Sequence, residues 1–126
     1  YPEALKAADL TALKSQAQSV ADAYAAISLG ALKVIDKLPF NFSHLGLLAG
    51  LFPQAKFINC SRDLRDVFVS CFFTEFTGEL QAFRTSPENF THYAKGYRKL
   101  MAHWRSLFPD RIHTLHLGPG LTLESK

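Results

Sequence analysis

The sequence predicts an α/β domain with a short parallel sheet flanked by helices. Three observations support this fold class. The chain has 126 residues, 48% hydrophobic and 20% charged, which is the balance of one globular domain. Short apolar runs of strand character alternate with segments of helical periodicity. Helical connections between consecutive strands favour parallel pairing with right-handed crossovers.

The first predicted element is an amphipathic helix over residues 2–29. Its apolar residues recur at alternating steps of three and four, which places them on one face of the helix. Gly30 is a suitable end, because glycine commonly follows a helix C-terminus. The stripe consists of Leu10, Leu13, Ala17, Val20, Tyr24 and Ile27.

Residues 32–37 predict a short buried strand, because a β-branched run followed by Pro39 does not easily continue as a helix. Lys37 would then lie at the carboxyl end of this strand. Ser43 is a suitable N-cap for a short apolar helix over residues 44–52, which we expect to be buried.

Residues 56–60 predict a second strand, and a helix over residues 64–76 follows it. Arg62 lies between the two elements, at the strand end where ligands bind in open parallel sheets. Ser70 lies about two turns into the helix, so the arginine can fold back toward its hydroxyl. Together they could hold one phosphate, because arginine supplies a charged fork, serine a neutral donor and the helix N-terminus a favourable field.

The remaining predicted elements are a loop over residues 77–85, a long helix and a third strand. Ser86 is the N-cap of the helix, which ends at about Pro109. Tyr93 and Tyr97 belong to its apolar stripe, which is typical of a core face. The third strand covers residues 111–117.

These elements make up one domain over residues 1–126. We interpret residues 1–30 as a covering helix, residues 31–117 as the α/β core and residues 118–126 as a polar tail. The sequence contains no internal repeat and no low-complexity run, so a single layered unit is the expected arrangement.

Composition argues against several classes of function. The net charge is +3, but the basic residues are spread along the chain, so we expect no nucleic-acid partner. No stretch reaches the roughly 18 apolar residues of a membrane span, so we expect no membrane partner and a cytoplasmic location. Cys60, Cys71 and the five histidines show no metal-ligand spacing, so we expect no metal and two reduced core thiols.

Four segments occur in order along the chain: Asp-Lys-Leu-Pro-Phe-Asn-Phe at 36–42, Leu-Gly-Leu through Phe-Pro at 45–53, Arg-Asp at 62–63 with Ser70, and Tyr-Arg through Met-Ala-His-Trp at 97–104. Together they resemble the nucleotide-dependent sulfotransferases, specifically the bacterial group often attached to tetratricopeptide repeats and related to tyrosylprotein sulfotransferases. The resemblance covers residues 34–115.

The resemblance implies a fold like that of the P-loop NTPases and a donor, 3′-phosphoadenosine 5′-phosphosulfate (PAPS), which becomes adenosine 3′,5′-bisphosphate (PAP). The sulfuryl group goes to a hydroxyl or amine of an acceptor that the sequence does not identify. Arg62 and Ser70 match the family's contacts to the 3′-phosphate. Lys37 matches a lysine near the transferring group, where a cation neutralises developing charge. Tyr93 or Tyr97 would line the adenine side.

The chain departs from the family pattern at both ends. No loop of the Gly-x-x-Arg-Ser-Gly-Thr kind, which wraps the 5′-phosphosulfate, precedes Lys37. Residues 116–121 stand where a Tyr-Glu-Asp-Leu-like stretch is expected. We therefore expect a partial or truncated member that lacks its phosphosulfate loop and is inactive as an isolated chain. An exposed sheet edge would then let two copies pair.

Other interpretations of the sequence remain open. One is a non-catalytic interaction domain of the same fold, whose first helix docks on a tetratricopeptide-repeat neighbour. Another is a relative of the nucleoside-phosphate kinases, which share the sheet architecture, although the Gly-x-x-x-x-Gly-Lys-[Ser/Thr] loop is absent. Arg62 with Asp63 and Asp66 also fits a simple surface ion-pair cluster at a helix start.

Overall fold

The computed structural model describes residues 9–74, 83–84, 86–118 and 122–124. The backbone divides into two compact units, Tyr1–Gln54 and Ala55–Lys126. The α/β class and the short parallel sheet are confirmed. In chain order the described elements are α1 (Leu10–Ile27), a 3₁₀ helix (Pro39–His44), α2 (Leu45–Leu51), β1 (Phe57–Ser61), α3 (Leu64–Phe73), α4 (Pro87–Leu107), β2 (Ile112–His116) and β3 (Thr122–Glu124).

Helix α1 confirms most of the first predicted helix. It begins after Asp9, whose carboxylate caps the first turn by accepting a backbone N–H. It ends before Gly30, which has a φ of 83°, a left-handed conformation that glycine adopts at little cost. Ala17 of the predicted stripe is buried, whereas Ile27 is 75% exposed. Residues 2–8 of the prediction lie outside the described residues.

The predicted strand over residues 32–37 is wrong. This segment has no strand pairing within the described part of the chain, and Leu32 and Ile35 are 101% and 84% exposed. A strand is stabilised by the hydrogen-bond ladder of a neighbour and by packing of its side chains, and neither is found here. Lys37 therefore does not follow a strand end.

The segment after Pro39 also differs from its prediction. A 3₁₀ helix leads into α2, so Ser43 lies within a helical turn and is not an N-cap; its hydroxyl donates to the Phe40 carbonyl at 2.7 Å. Leu45 and Ala49, one turn apart on α2, are buried as expected. The proline at the first position explains the early helical start, because its fixed φ suits a first turn.

The strands of the second unit confirm two predicted strands and their parallel pairing. Phe57 of β1 pairs with Ile112 of β2, and Ser61 pairs with His116 at the carboxyl ends. Strand β3 runs antiparallel on the other side of β2. The sequence analysis placed β3 in the polar tail, because a strand of three residues carries too little pattern to be recognised.

The core of the second unit lies on the face of the sheet that α4 covers. Met101 is 2% exposed, and Phe90, Ala94 and Ile112 are also buried. Phe68 of α3 packs on Phe90 with 5.2 Å between ring centroids. The predicted apolar stripe of the long helix is therefore a core face. Its predicted N-cap is confirmed too, since the Ser86 side chain accepts a hydrogen bond from a backbone N–H one turn later.

Alternation along β1 explains where its cysteine lies. Phe57, Asn59 and Ser61 are half-buried, whereas Ile58 and Cys60 point to the open face and are exposed. Cys60 is therefore not a core thiol, contrary to the prediction, and Cys71 is half-buried. Among the described helices, none combines the length and apolarity that crossing a membrane requires.

We expect Phe90→Ala to lower the free energy of unfolding by about 3–5 kcal/mol, because it leaves a cavity in the core beside Phe68. Phe73→Ala removes the same atoms from a side chain that is 79% exposed, and should cost less than about 1 kcal/mol. Urea denaturation of both variants, followed by circular dichroism, measures the two losses. Equal losses would show that the core does not lie where α3 meets α4.

Candidate functional site

A cleft of about 490 Å³ opens at the carboxyl ends of β1 and β2. Ser61 and His116, the paired last residues of these strands, both line it. Its volume is in the range of about 300–1,000 Å³ that small-molecule sites occupy, and it lies at the sheet edge where parallel sheets bind ligands. The lining consists of Asn59, Ser61, Arg62, Asp63, Leu64, Arg65, Tyr97, Arg98, Met101, Arg105 and His116.

Arg62 follows β1 directly and lines the cleft. Its Nε lies 3.5 Å from Asp66 Oδ2, and the two side chains are 52% and 57% exposed. A pair this exposed contributes at most about 1 kcal/mol, so a bound anion can replace Asp66 at low cost. The position of Arg62 suits the predicted phosphate contact, and its role stays a prediction.

Asp63 and Arg65 form a closed local pair at the start of α3. The Asp63 carboxylate accepts the backbone N–H of Arg65 at 2.8 Å and its guanidinium at 3.1 and 2.9 Å. These bonds, the side-chain bond first, lower the pKa of Asp63 from 3.8 to about 2. Asp63 therefore caps the helix and neutralises Arg65 at the same time.

Tyr97 and Asn59 join α4 to the sheet at the wall of the cleft. The Tyr97 hydroxyl donates to Asn59 Oδ1 at 2.6 Å. The Nδ2 group of Asn59 is buried and has no hydrogen-bond partner among the described residues. An unpaired buried donor costs about 1–3 kcal/mol, which makes this amide suited to a ligand that carries acceptor oxygens.

Two further arginines, Arg98 and Arg105, line the cleft from α4. They are seven residues apart, so they lie two turns apart on one helix face. Arg105 Nη2 donates to Thr114 Oγ1 of β2 at 3.1 Å. The sequence analysis did not identify either as a site residue. Their sequence positions could have identified them, because both flank the apolar stripe of the helix that carries Tyr97.

Two of the predicted site residues lie outside this lining, and a third lies in the other unit. Ser70 is exposed on α3, and its carbonyl accepts the Thr74 hydroxyl at 2.6 Å. Tyr93 stacks on Phe83 with 4.3 Å between centroids, and burial raises its pKa. Lys37 belongs to the first unit, where it is exposed. The structure thus brings Arg62 and Tyr97 to one cleft.

The cleft offers cations and N–H donors, which are the groups that recognise phosphate and sulfate. Four arginines and one aspartate line it, together with the Asn59 amide and the Tyr97 hydroxyl. In the part of the chain that the structure describes, no three His, Cys, Asp or Glu side chains form a cluster that could hold a metal ion. The arrangement can therefore bind an anion through charge-assisted hydrogen bonds.

Comparison with known proteins identifies relatives of the whole region. A family model described as the sulfotransferase family matches residues 2–117, which include every residue that lines the cleft. A protein of Aquifex aeolicus (strain VF5), described as uncharacterized, is 35% identical over 117 residues, or 91% of this chain. The chain spans 15% of the length of that relative. No solved structure matches.

The Asp63–Arg65 pair predicts a specific pH dependence. A carboxyl whose pKa falls on folding stabilises the fold above its unfolded pKa, and this contribution disappears as the pH falls through the folded value, here about 2. Arg65→Gln should return the pKa of Asp63 toward 3.8. NMR titration of the carboxyl carbon should therefore show Asp63 still mostly ionised at about pH 3 in the unmodified chain, and clearly more protonated at that pH in Arg65→Gln.

A matched control removes a charge that does not contact Asp63. Lys99 is exposed on α4 and does not line the cleft, so Lys99→Gln should leave the Asp63 titration unchanged. If Asp63 titrated at the same pH with and without the Arg65 guanidinium, the prediction would be wrong, because the pair would then have no effect on the pKa of the carboxyl.

Proposed function

The chain belongs to the sulfotransferase family, and we propose that it binds PAPS with the 3′-phosphate of the nucleotide in the cleft at the ends of β1 and β2. The observation that carries this proposal is the position of Arg62, which lines the cleft directly after β1 and just before α3. The chemistry that the nucleotide supplies is a sulfuryl group for transfer to a hydroxyl or an amine.

The residues around Arg62 fit a phosphate group. The weak, exposed pair with Asp66 leaves the guanidinium available for the charge-assisted fork that arginine makes to phosphate. The first residue of α3, Leu64, also lines the cleft, so the N-terminal end of the helix faces the same space and favours an anion. The unpaired Asn59 amide adds a neutral donor.

We assign the other contacts from the resemblance and from exposure. Ser70 is open to a ligand, and it would hold the 3′-phosphate from the α3 side, about 9 Å along the helix from its first residue. Tyr97 fits the adenine side better than Tyr93, because only Tyr97 lines the cleft. Lys37 would neutralise charge near the sulfuryl group. We also propose that the chain belongs to the tetratricopeptide-linked, tyrosylprotein-sulfotransferase-like subgroup of the family.

A second role, pairing with another copy of this chain, is favoured by exposed apolar side chains of the second unit. Ile58 of β1 is 63% exposed and Phe73 of α3 is 79% exposed, with Val69 and Phe72 also exposed. Among the described strands none pairs with the outer edge of β1. We propose that two copies associate along this edge, because open edges and uncovered apolar surface are association sites.

Ligand binding by the 126-residue chain can be measured by thermal shift. We expect PAP to raise the melting temperature, since a ligand at about 100 times its dissociation constant stabilises a fold by about 2.7 kcal/mol. Adenosine 5′-monophosphate, which lacks the 3′-phosphate, should give a smaller shift, and Arg62→Ala should abolish the difference between the two nucleotides. Equal shifts with both nucleotides would instead favour a relative of the nucleoside-phosphate kinases.

The same assay separates the roles of Ser70 and Lys37. Ser70→Ala should weaken PAP and PAPS equally, because both carry the 3′-phosphate. Lys37→Ala should leave PAP binding unchanged and weaken PAPS, because only PAPS carries the sulfuryl group. A loss of PAP binding in Lys37→Ala would contradict the assignment of Lys37 to the sulfuryl side.

Self-association is tested by sedimentation velocity over a range of concentrations. We expect the unmodified chain to dimerise and Ile58→Lys to remain monomeric, because a lysine on an edge strand opposes pairing. Leu107→Lys is the matched control, since Leu107 is 53% exposed and belongs to α4, not to the edge strand β1. An unmodified chain that stays monomeric at every concentration would overturn the proposal.

A further inference from the structure

The four arginines that line the cleft differ in how far their charge is neutralised. Arg62 pairs with Asp66, and the Arg65 guanidinium makes two hydrogen bonds to Asp63. No carboxylate pairs with Arg98 or Arg105 within the described residues. The charge that a ligand can use therefore lies mainly on the α4 wall of the cleft, and the start of α3 contributes less.

The sequence of α4 explains why these two charges stay unneutralised. Glu88 in the first turn is the only acidic residue of the helix. The positions three and four residues before and after Arg98 and Arg105 contain no aspartate or glutamate, so the usual pairs along a helix face cannot form. Helix α4 thus presents its arginines to the cleft without an internal counter-charge.

The α4 wall is also held in place by contacts to the sheet. Met101, between the two arginines, is 2% exposed and anchors this part of the helix in the core. The Arg105 guanidinium donates to the Thr114 hydroxyl, and Tyr97, next to Arg98, donates to Asn59. Neutral partners orient the Arg105 guanidinium and the Tyr97 hydroxyl without cancelling charge, and donors oriented in advance bind an anion with less loss of side-chain entropy.

We propose that Arg98 and Arg105 form a second anion-binding subsite on the α4 wall of the cleft, which takes a phosphate or sulfate group. This subsite is distinct from the contact of Arg62 and Ser70 with the 3′-phosphate. It rests on the proposed function only for the identity of the molecule that carries the group. Inorganic phosphate therefore serves as a probe that needs no nucleotide.

The test is a phosphate titration of the full 126-residue chain, with chloride replaced at constant ionic strength so that screening does not change. Calorimetry gives the affinity, and the side-chain Nε–H signals of the arginines show by NMR which guanidinium groups respond. We expect the Arg98 and Arg105 signals to shift. Replacing both arginines by glutamine should weaken binding about tenfold or more, since hydrogen bonds to charged groups contribute about that much.

Lys95→Gln with Lys99→Gln is the matched control. It removes the same charge from the same helix, at two exposed positions that do not line the cleft. Phosphate affinity should change little in this variant. Arg98→Gln alone is a second test variant in case the double variant fails to fold, because it keeps the Arg105 contact with Thr114. Equal weakening in the lysine and arginine double variants would mean that net charge alone attracts phosphate, which overturns the subsite.

The outcomes also separate this inference from the proposed function. If phosphate shifts the Arg62 signal but not those of Arg98 and Arg105, the subsite is wrong and the 3′-phosphate contact stands. If phosphate binding depends on Arg98 and Arg105, while PAP binds no more tightly than phosphate, the subsite stands and the nucleotide proposal is wrong. A chain that binds no phosphate at all overturns the subsite.

Discussion

The parallel pairing of β1 with β2 is the constraint on which the rest of the second unit depends. Two parallel strands cannot be joined by a tight turn, so the chain between them must return along the sheet, and here α3 and α4 lie in that return. The register sets Ser61 beside His116, so both strands end at one edge. The start of α3 and the arginines of α4 line the cleft at this edge. The cleft is therefore a consequence of topology.

The face of the sheet that α4 covers changes from apolar to polar along the strands. At the amino end the paired residues are Phe57 and Ile112, which are apolar. In the middle they are Asn59 and Thr114, whose polar atoms bond to side chains of α4. At the carboxyl end both paired residues are polar and line the cleft. Apolar burial thus stabilises one end, hydrogen bonds fix the helix in the middle, and the far end is left for a ligand.

Elements with a strong local signal could be predicted from the sequence, and elements that depend on a partner could not. The strand at 56–60 and the helix that begins after Ser86 were predicted to within about a residue, and the place of Arg62 at a strand end followed. The run at 32–37 also contains apolar and β-branched residues, but a strand forms only where a neighbouring strand supplies the hydrogen-bond ladder. Strand β3 is the opposite case. Its three residues carry little sequence pattern, and they form a strand because they pair with β2.

The same contrast between local sequence and spatial partners holds for the cleft. The charge available to a ligand is the arginine charge that nearby carboxylates do not neutralise. An Arg-Asp motif draws attention to the start of α3, yet an anion could recruit the Arg65 guanidinium only by breaking its two hydrogen bonds to Asp63. Arg62 costs less to recruit, since a single contact of 3.5 Å links its guanidinium to Asp66. Within the described residues, the arginines of α4 have no ion pair to break. An anion that enters the cleft should therefore engage α4 first and Arg62 next, although the motif in the sequence points to α3.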